Sequence, residues 1–473
     1  MRRLNLDYIA SATNGEIIAR AAGNAYDGIT MVEIDNRRIG DDCLFFCLIG
    51  ARVDAHQFLP SVREKGCHNV VVSDRDWADK IAEYGDMNVI LVKDTTVALG
   101  DLAERYMDDW KNVKRVAITG SAGKTTTKEF LYKVLSTKFR TGKNLGNYNS
   151  DTGIPLTIFN SYKEDDEIVI TEVGIGEGRD MSALVAMVKP DNAIITNVGS
   201  VHMEFFESSR EKLLEAKLRI TELMDSRNTL VVNNNVENLS IESIRAHSKG
   251  DFNIVTVGSK ESCDYTISDI RDNGIDGVEA TLIHDGRYYD MVIPIVGAHN
   301  LFNAAEAVAI GGLYGIEVVD ALEAIKEIDM AKDRLDVHRG KYTIINDSYN
   351  ANPEALKAAI EIVKNTPAKR KGLIIGSMGE LGNDAAEIHR EVGRYIANCE
   401  IDYVATIGEL AAEIADEIKI VGGIDKVHSF ETYEDLMKEL EDNIIEEGDL
   451  FLVKGSNSLG LNRLVQELDN ETK

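Results

Sequence analysis

This 473-residue chain is short of positive charge: 52 Lys and Arg stand against 80 Asp and Glu, a formal net charge of −28. A nucleic acid or an anionic bilayer requires a surplus of cations on the facing surface, so neither is expected as a main partner. A small anionic ligand needs only a local basic pocket and stays admissible. Proline is rare, with 6 residues, and hydrophobic residues reach 44%, which argues against long disordered tracts. Cysteine is sparse as well. Cys43, Cys47, Cys67, Cys263 and Cys399 are odd in number and form no CxxC pair, so scattered core thiols are expected rather than a disulfide framework. No run of 18 apolar residues occurs, and the opening MRRLNLDYIASATNG lacks an apolar stretch. The expectation is a cytoplasmic protein with no membrane insertion.

What is present is alternation. A chain of this length exceeds one ordinary core, so two to three domains are expected. Residues 1–98 carry short apolar runs such as CLFFCLIG (43–50) and NVVVSD (69–74) and read as a small α/β unit. VALGDLAERYMDDW (97–110) has helical apolar spacing and links this unit to the next. Over 99–331, VAIT (116–119), IVITEV (168–173), NAIITNV (192–198), TLVVN (229–233) and NIVTVG (253–258) are buried-strand candidates separated by helical stretches. That pattern predicts a mostly parallel sheet covered on both faces. Residues 264–295 alternate around DNGIDG and HDGR and predict antiparallel hairpins added to it. A third alternation over 332–473, with YTIIND, GLIIG, YVATIG and LFLVKG, predicts a separate α/β domain. The fold class is α/β in three domains.

The sharpest signal is Thr119-Gly120-Ser121-Ala122-Gly123-Lys124-Thr125-Thr126-Thr127, which follows a predicted strand and opens a helix. Glycines let backbone N–H groups turn toward a phosphate, and the helix N-terminus adds positive partial charge. Lys124 suits the β- and γ-phosphates, and the Thr125 hydroxyl suits Mg²⁺. Ile118 stands where the longer P-loop pattern has its first Gly. Gly174-Ile175-Gly176-Glu177-Gly178, by contrast, lacks the spacing of a dinucleotide loop.

The short T-G-S-A-G-K-T-T form resembles the Mur ligase family, and further matches follow in that family's order. They are Asn147–Pro155, Thr171-Glu172-Val173-Gly174, Thr196-Asn197 through His202, Ala216-Lys217, Gly297–Ala304 with Asn300 and Asn303, Asp333-Arg334-Leu335, Asn346–Pro353, and Lys454-Gly455-Ser456. The resemblance spans nearly the whole chain. It implies a uridine-nucleotide domain, a central P-loop ATPase domain and a C-terminal Rossmann-like domain that binds the incoming amine. The D-S-Y-N-A-N-P and K-G-S segments resemble the member of the family that uses ATP to join D-alanyl-D-alanine to UDP-MurNAc-tripeptide in peptidoglycan precursor synthesis.

The resemblance implies ATP contacts at Gly120, Ser121, Ala122, Gly123, Lys124, Thr125 and Thr126, with Asn300 and Asn303 at adenine and ribose and Arg334 at the phosphates. It implies two Mg²⁺ sites drawing on Thr125, Glu172, His202 and Lys217, the last carbamylated. Asp347 would orient Arg334 or the Lys217 region. Asp35-Asn36-Arg37 and Asp54-Ala55-His56 resemble the uridine-nucleotide segments, and Tyr349, Asn350 and Ser377 the acceptor region. Read without the family, a strand-end Glu is usually solvated, Lys217 would be a solvated helix lysine, and Asn300 would be an N-cap.

Several residues depart from the family pattern: Asn36 for Ser, Ala55 for Gly, Ser150 for Asn, Arg219 for the Glu of A-K-x-E, and Ser377 for the Asp of G-D-M-x-E-L-G. Two other readings therefore stand beside the first. One is a family member with a different amine acceptor, such as a folylpolyglutamate or cyanophycin synthetase. The other is a nucleotide-binding relative without ligase chemistry.

Overall fold

The structure is a computed structural model that describes residues 1–22, 26, 28–146, 148–175, 181–199, 209–328, 334–379 and 381–470. His202, Glu380, Asp333 and the 176–178 part of the glycine-rich segment lie outside the described residues. No helix among the described residues is long and apolar enough to cross a membrane.

Three sheets follow one another along the chain. The first has five strands, in the spatial order Glu16–Ala19, Asn88–Leu91, Asn69–Val72, Cys43–Phe46, Met31–Glu33. Its outer pair is antiparallel and the rest are parallel. Asn69–Val72 and Cys43–Phe46 are buried along their full length, as central strands covered on both faces must be. The edge strand Met31–Glu33 is capped by Asn160, whose carboxamide donates to the Val32 carbonyl at 2.6 Å and accepts from the Val32 N–H at 3.2 Å. This closes an edge that would otherwise be open to pairing.

The central sheet has nine strands. Lys114–Thr119 lies between Asn192–Ile195 and Ile168–Glu172, all parallel, with Thr119 opposite Ile195 and Ile118 opposite Glu172. Three carboxyl ends therefore finish at one level, the edge where ligands collect in open α/β sheets. At the far side Tyr265–Asp272, Val278–His284 and Arg287–Ile293 form the predicted antiparallel hairpins.

One face of this sheet is covered by the helices Lys124–Ser136 and His299–Leu313, through Phe130, Leu131, Val134, Leu301, Ala304 and Val308. The other face shares a continuous core with the first sheet. The helix Thr95–Asp109 supplies Leu99, Leu102 and Tyr106 to it, beside Leu44, Phe46 and Val71 of the first sheet and Ala117 and Val169 of the second. The predicted linker helix is thus a packed joint.

The third sheet has six strands. Thr343–Asp347, Leu450–Lys454, Lys371–Gly376, Tyr403–Ile407 and Lys426–Phe430 are parallel, and Asp336–Arg339 pairs antiparallel at the edge. The two outermost strands, Asp336–Arg339 and Lys426–Phe430, are absent from the sequence reading. They are short and half-exposed, so neither has the apolar run that marks a central strand. All five cysteines are buried free thiols, as their spacing implied.

Candidate active site

The strand Lys114–Thr119 runs directly into the glycine loop and the helix Lys124–Ser136. Gly120 and Gly123 take φ of +153° and +81°, which side chains rarely adopt. A Cβ on Gly123 would stand 2.9 Å from the Asn303 amide oxygen, and one on Gly120 would overlap the Thr196 hydroxyl. The loop therefore lies flush against its neighbours, and only glycine fits.

Asn197 shapes the loop from the adjacent strand end. Its side-chain oxygen accepts from the Ser121 and Ala122 N–H groups, both at 2.9 Å. The Thr196 hydroxyl donates to the Ala122 carbonyl at 2.6 Å, and the Gly199 N–H donates to Ser121 Oγ at 3.0 Å. Lys124 folds over the loop, with Nζ donating to the Gly120 carbonyl at 2.6 Å.

Behind this turn lies a carboxylate cluster. Glu172 is 2% exposed. Its carboxylate accepts from the Thr125 hydroxyl at 2.9 Å and from the Asn149 amide at 2.8 Å, while its backbone N–H donates to Asn144 at 2.9 Å. The expectation for a strand-end Glu standing alone, a solvated side chain, does not hold here. Lys128, one turn beyond Lys124, is buried and donates to the Gly146 carbonyl at 3.3 Å. It thereby ties the loop that carries Asn149 to the phosphate-loop helix. Desolvation lowers the pKa values of both lysines against the opposing pull of Glu172.

Lys217 corrects the reading of a solvated helix lysine. It is 1% exposed and has no hydrogen bond or ion pair among the described residues. Burial pushes its pKa far down, and the Lys124 charge adds to this. The helix there ends at Leu218, and a 3-10 turn Arg219–Thr221 follows. Arg219 turns away to Ser182, donating at 2.8 Å.

Asn300 is no N-cap, since Ala298 holds that position. The Asn300 amide donates to the Val296 carbonyl at 2.8 Å, and its oxygen accepts from Asn303 at 2.9 Å. The pair buttresses Gly123 from below. Thr126 is half-buried on the first turn of the phosphate-loop helix.

Arg334 reaches the same edge from the start of the third domain. Its guanidinium lies 4.0 Å over the Tyr349 ring, close enough for its charge to be felt at Lys124. Asp347 differs from expectation. Its carboxylate binds Lys454 in a buried ion pair rather than Arg334 or Lys217, because the parallel strands Thr343–Asp347 and Leu450–Lys454 put these two residues opposite each other. Asn350 is exposed, its side chain turned to the Ala351 N–H at 2.9 Å. Ser377 Oγ accepts from the Ala411 N–H at 3.0 Å and so caps the helix Glu409–Val421.

In the first domain, Asp35, Asn36 and Arg37 line a cleft of about 560 Å³ with Ile34, Leu48, Gly50, Val53, Ala55 and Phe58. Arg37 clamps Asp35 in two directions and holds its carboxyl down to about 2. His56 is a correction. It is fully buried, accepts from the Ser73 N–H at 3.0 Å through Nε2, and shares Nδ1 with Asp54 at 2.6 Å. Since Nε2 accepts, the proton sits on Nδ1 and is donated to Asp54. His56 therefore orients Asp54 and does not line the cleft.

Asn197, Asn149, Lys128 and Lys454 were given no role from sequence. Asn197 and Asn149 sat within the quoted motifs, and Lys128 lies one helical turn from Lys124, which was the available signal.

Three family models match in order: "Mur ligase family, catalytic domain" over residues 28–107, "Mur ligase middle domain" over 118–311, and "Mur ligase, glutamate ligase domain" over 333–457. The UDP-N-acetylmuramoyl-tripeptide–D-alanyl-D-alanine ligase of Bacillus subtilis is 33% identical over 440 residues, covering 92% of each chain. The chain belongs to the Mur ligase family. The Escherichia coli ligase of the same name is 28% identical, covering 99% of each chain. Among solved structures, a MurF from Acinetobacter baumannii superposes with a TM-score of 0.87 at 25% identity, covering 99% of both chains. The Thermotoga maritima MurF ligase in complex with ADP gives 0.77 at 25% identity, covering 93% of this chain and 97% of that one.

Proposed function

We propose that this Mur ligase joins D-alanyl-D-alanine to UDP-N-acetylmuramoyl-tripeptide with cleavage of ATP to ADP and phosphate. The observation that carries the reading is the meeting of Lys124, the Thr125–Glu172 pair, buried Lys217 and Arg334 at one sheet edge, in a chain that matches the D-alanyl-D-alanine-adding relatives end to end. A carboxylate of the tripeptide attacks the γ-phosphorus, ADP leaves, and an acyl phosphate forms. The dipeptide amine then attacks the acyl carbon, phosphate departs, and the nitrogen loses its proton to give the amide. Activation is required because a free carboxylate is a poor electrophile at neutral pH.

This chain's own residues do the positioning. Lys124 and Arg334 stabilise charge on the transferring group, so catalysis rests on electrostatics and alignment. Thr125 and Glu172 offer hard oxygen ligands 2.9 Å apart, which fits Mg²⁺. The ion, when bound there, neutralises phosphate oxygens. His202, outside the described residues, completes the proposed ligand set. Lys217 fits a carbamate: burial drives the amine's pKa down and so favours the uncharged form that is nucleophilic toward CO₂, and the product carbamate is an anion suited to a second Mg²⁺. Asn300 and Asn303 serve the nucleoside side, the Asp35–Arg37 cleft the uridine nucleotide, and Asn350 with residues 376–382 the acceptor. The domain limits 1–98, 99–331 and 332–473 and a cytoplasmic location accompany this reading.

Phosphate release that requires both UDP-MurNAc-tripeptide and D-alanyl-D-alanine tests it. Strong preference for a single amino acid over D-Ala-D-Ala, D-Ala-D-Ser and D-Ala-D-lactate would leave the family and remove this acceptor. No phosphate release with any amine would favour a relative without ligase chemistry.

A further inference from the structure

Arg334 and Tyr349 pose a problem of charge. Arg334 has no hydrogen bond or ion pair among the described residues, and its guanidinium stacks on the face of the Tyr349 ring at 4.0 Å. Stacking on the ring face leaves the in-plane N–H donors available, a ready anion receptor. The same guanidinium is one of the charges felt by Lys124. Neighbouring cations repel, even with the Glu172 carboxylate pulling on Lys124, so a contact that holds Arg334 in place favours capture of an anion.

The backbone on either side of Tyr349 is itself anchored. Lys454 Nζ, 2% exposed, binds the Asp347 carboxylate and accepts a second anchor from the Asn350 carbonyl, to which it donates at 2.9 Å. Ser348 donates to the Asn346 side chain at 2.7 Å. The backbone is therefore tied on both sides of Tyr349, to two strand ends of the third sheet. Glu354, at the start of the helix Pro353–Asn365, comes toward Gly199 of the phosphate-loop region from the same segment, with 3.9 Å between its carboxyl carbon and a Cβ built on Gly199.

We infer that Tyr349 is a positioning residue that holds Arg334 toward the γ-phosphate, its backbone being tied to the third sheet by Lys454. This deepens the function proposed above and rests on it. It assigns Tyr349 to the phosphate side of the site, in place of the contact with the acceptor dipeptide expected from sequence.

The test compares binding of ADP with binding of a nonhydrolysable ATP analogue by calorimetry on the full chain. The analogue-to-ADP affinity ratio should fall about fivefold to thirtyfold in Tyr349→Leu, the range expected for a desolvated cation–π contact. Arg334→Ala should lower it at least as much, Tyr349→Phe should restore it, and the double variant Tyr349→Leu/Arg334→Ala should fall no further than Arg334→Ala alone. Circular dichroism and thermal melting, unchanged across the set, report that the variants are folded. An unchanged ratio in Tyr349→Leu, or additive losses in the double variant, would overturn this inference alone. A rise in the KM for D-alanyl-D-alanine in Tyr349→Phe would return the residue to the acceptor. Failure of the unsubstituted protein to bind either nucleotide would bring down the functional reading as well.

Discussion

The nucleotide edge of the central sheet and the acceptor side of the third sheet are built differently. At the first, Asn197, Thr196, Asn149 and Asn303 hold the phosphate loop and Glu172 through hydrogen bonds that cross between strands and helices. At the second, Asn350 bonds its neighbour Ala351 and Ser377 caps a nearby helix, so these side chains are spent on the third domain's own backbone. The first arrangement orients groups before ligand arrives, as charge stabilisation requires. The second leaves substrate contacts to be made on closure, when the domains sequester the reaction from water.

The largest expected effect lies at the prearranged edge. Lys124→Ala should lower turnover on the order of a hundredfold or more while circular dichroism stays unchanged. Near-normal turnover by the folded variant would mean that the loop does not act on phosphate. Lys217→Ala should lose about tenfold or more, and short carboxylic acids should restore part of it by replacing the missing anion. Intact-protein mass on an active preparation that shows only the free amine at Lys217 would count against the carbamate.

Behind the loop the comparison reverses, because Glu306 in the helix His299–Leu313 is 1% exposed with neither carboxyl oxygen hydrogen-bonded. Burial drives its pKa well up. The folded chain keeps that proton where the unfolded chain has already released it. The associated stability is complete below the ordinary carboxylate range and declines as pH rises toward the folded value. Glu306→Met should therefore stabilise by about 1–3 kcal/mol at neutral pH and flatten the alkaline decline. Denaturation midpoints across pH would reveal an equal slope in both proteins if the idea is wrong.

The smallest effect is expected at Ser377. Ser377→Ala should cost about 1 kcal/mol of stability through the lost helix cap and shift the KM for D-alanyl-D-alanine less than about threefold. A larger KM effect would show the hydroxyl to be a substrate contact and erase the contrast between the two regions.

Much of the architecture was legible from periodicity. The central strands are short buried apolar runs, and the order strand, glycine loop, helix marks the phosphate site without any partner. The outer strands Asp336–Arg339 and Lys426–Phe430 were not legible, because half-exposed edge strands have no run to read. Within the site, residue identity separated Lys124, Glu172 and Arg334 from the background through ordered motifs, but not what each touches.

The sequence by itself determined the α/β alternation, the phosphate loop and the family resemblance, since these depend on local spacing and residue type. Only the tertiary structure decided that Lys217 is buried, that His56 serves Asp54 from inside the core, and that Asp347 binds Lys454. Burial and ion pairing depend on which distant strands end side by side. Parallel register set Asp347 opposite Lys454 across 107 residues of chain, a relation that no local pattern encodes.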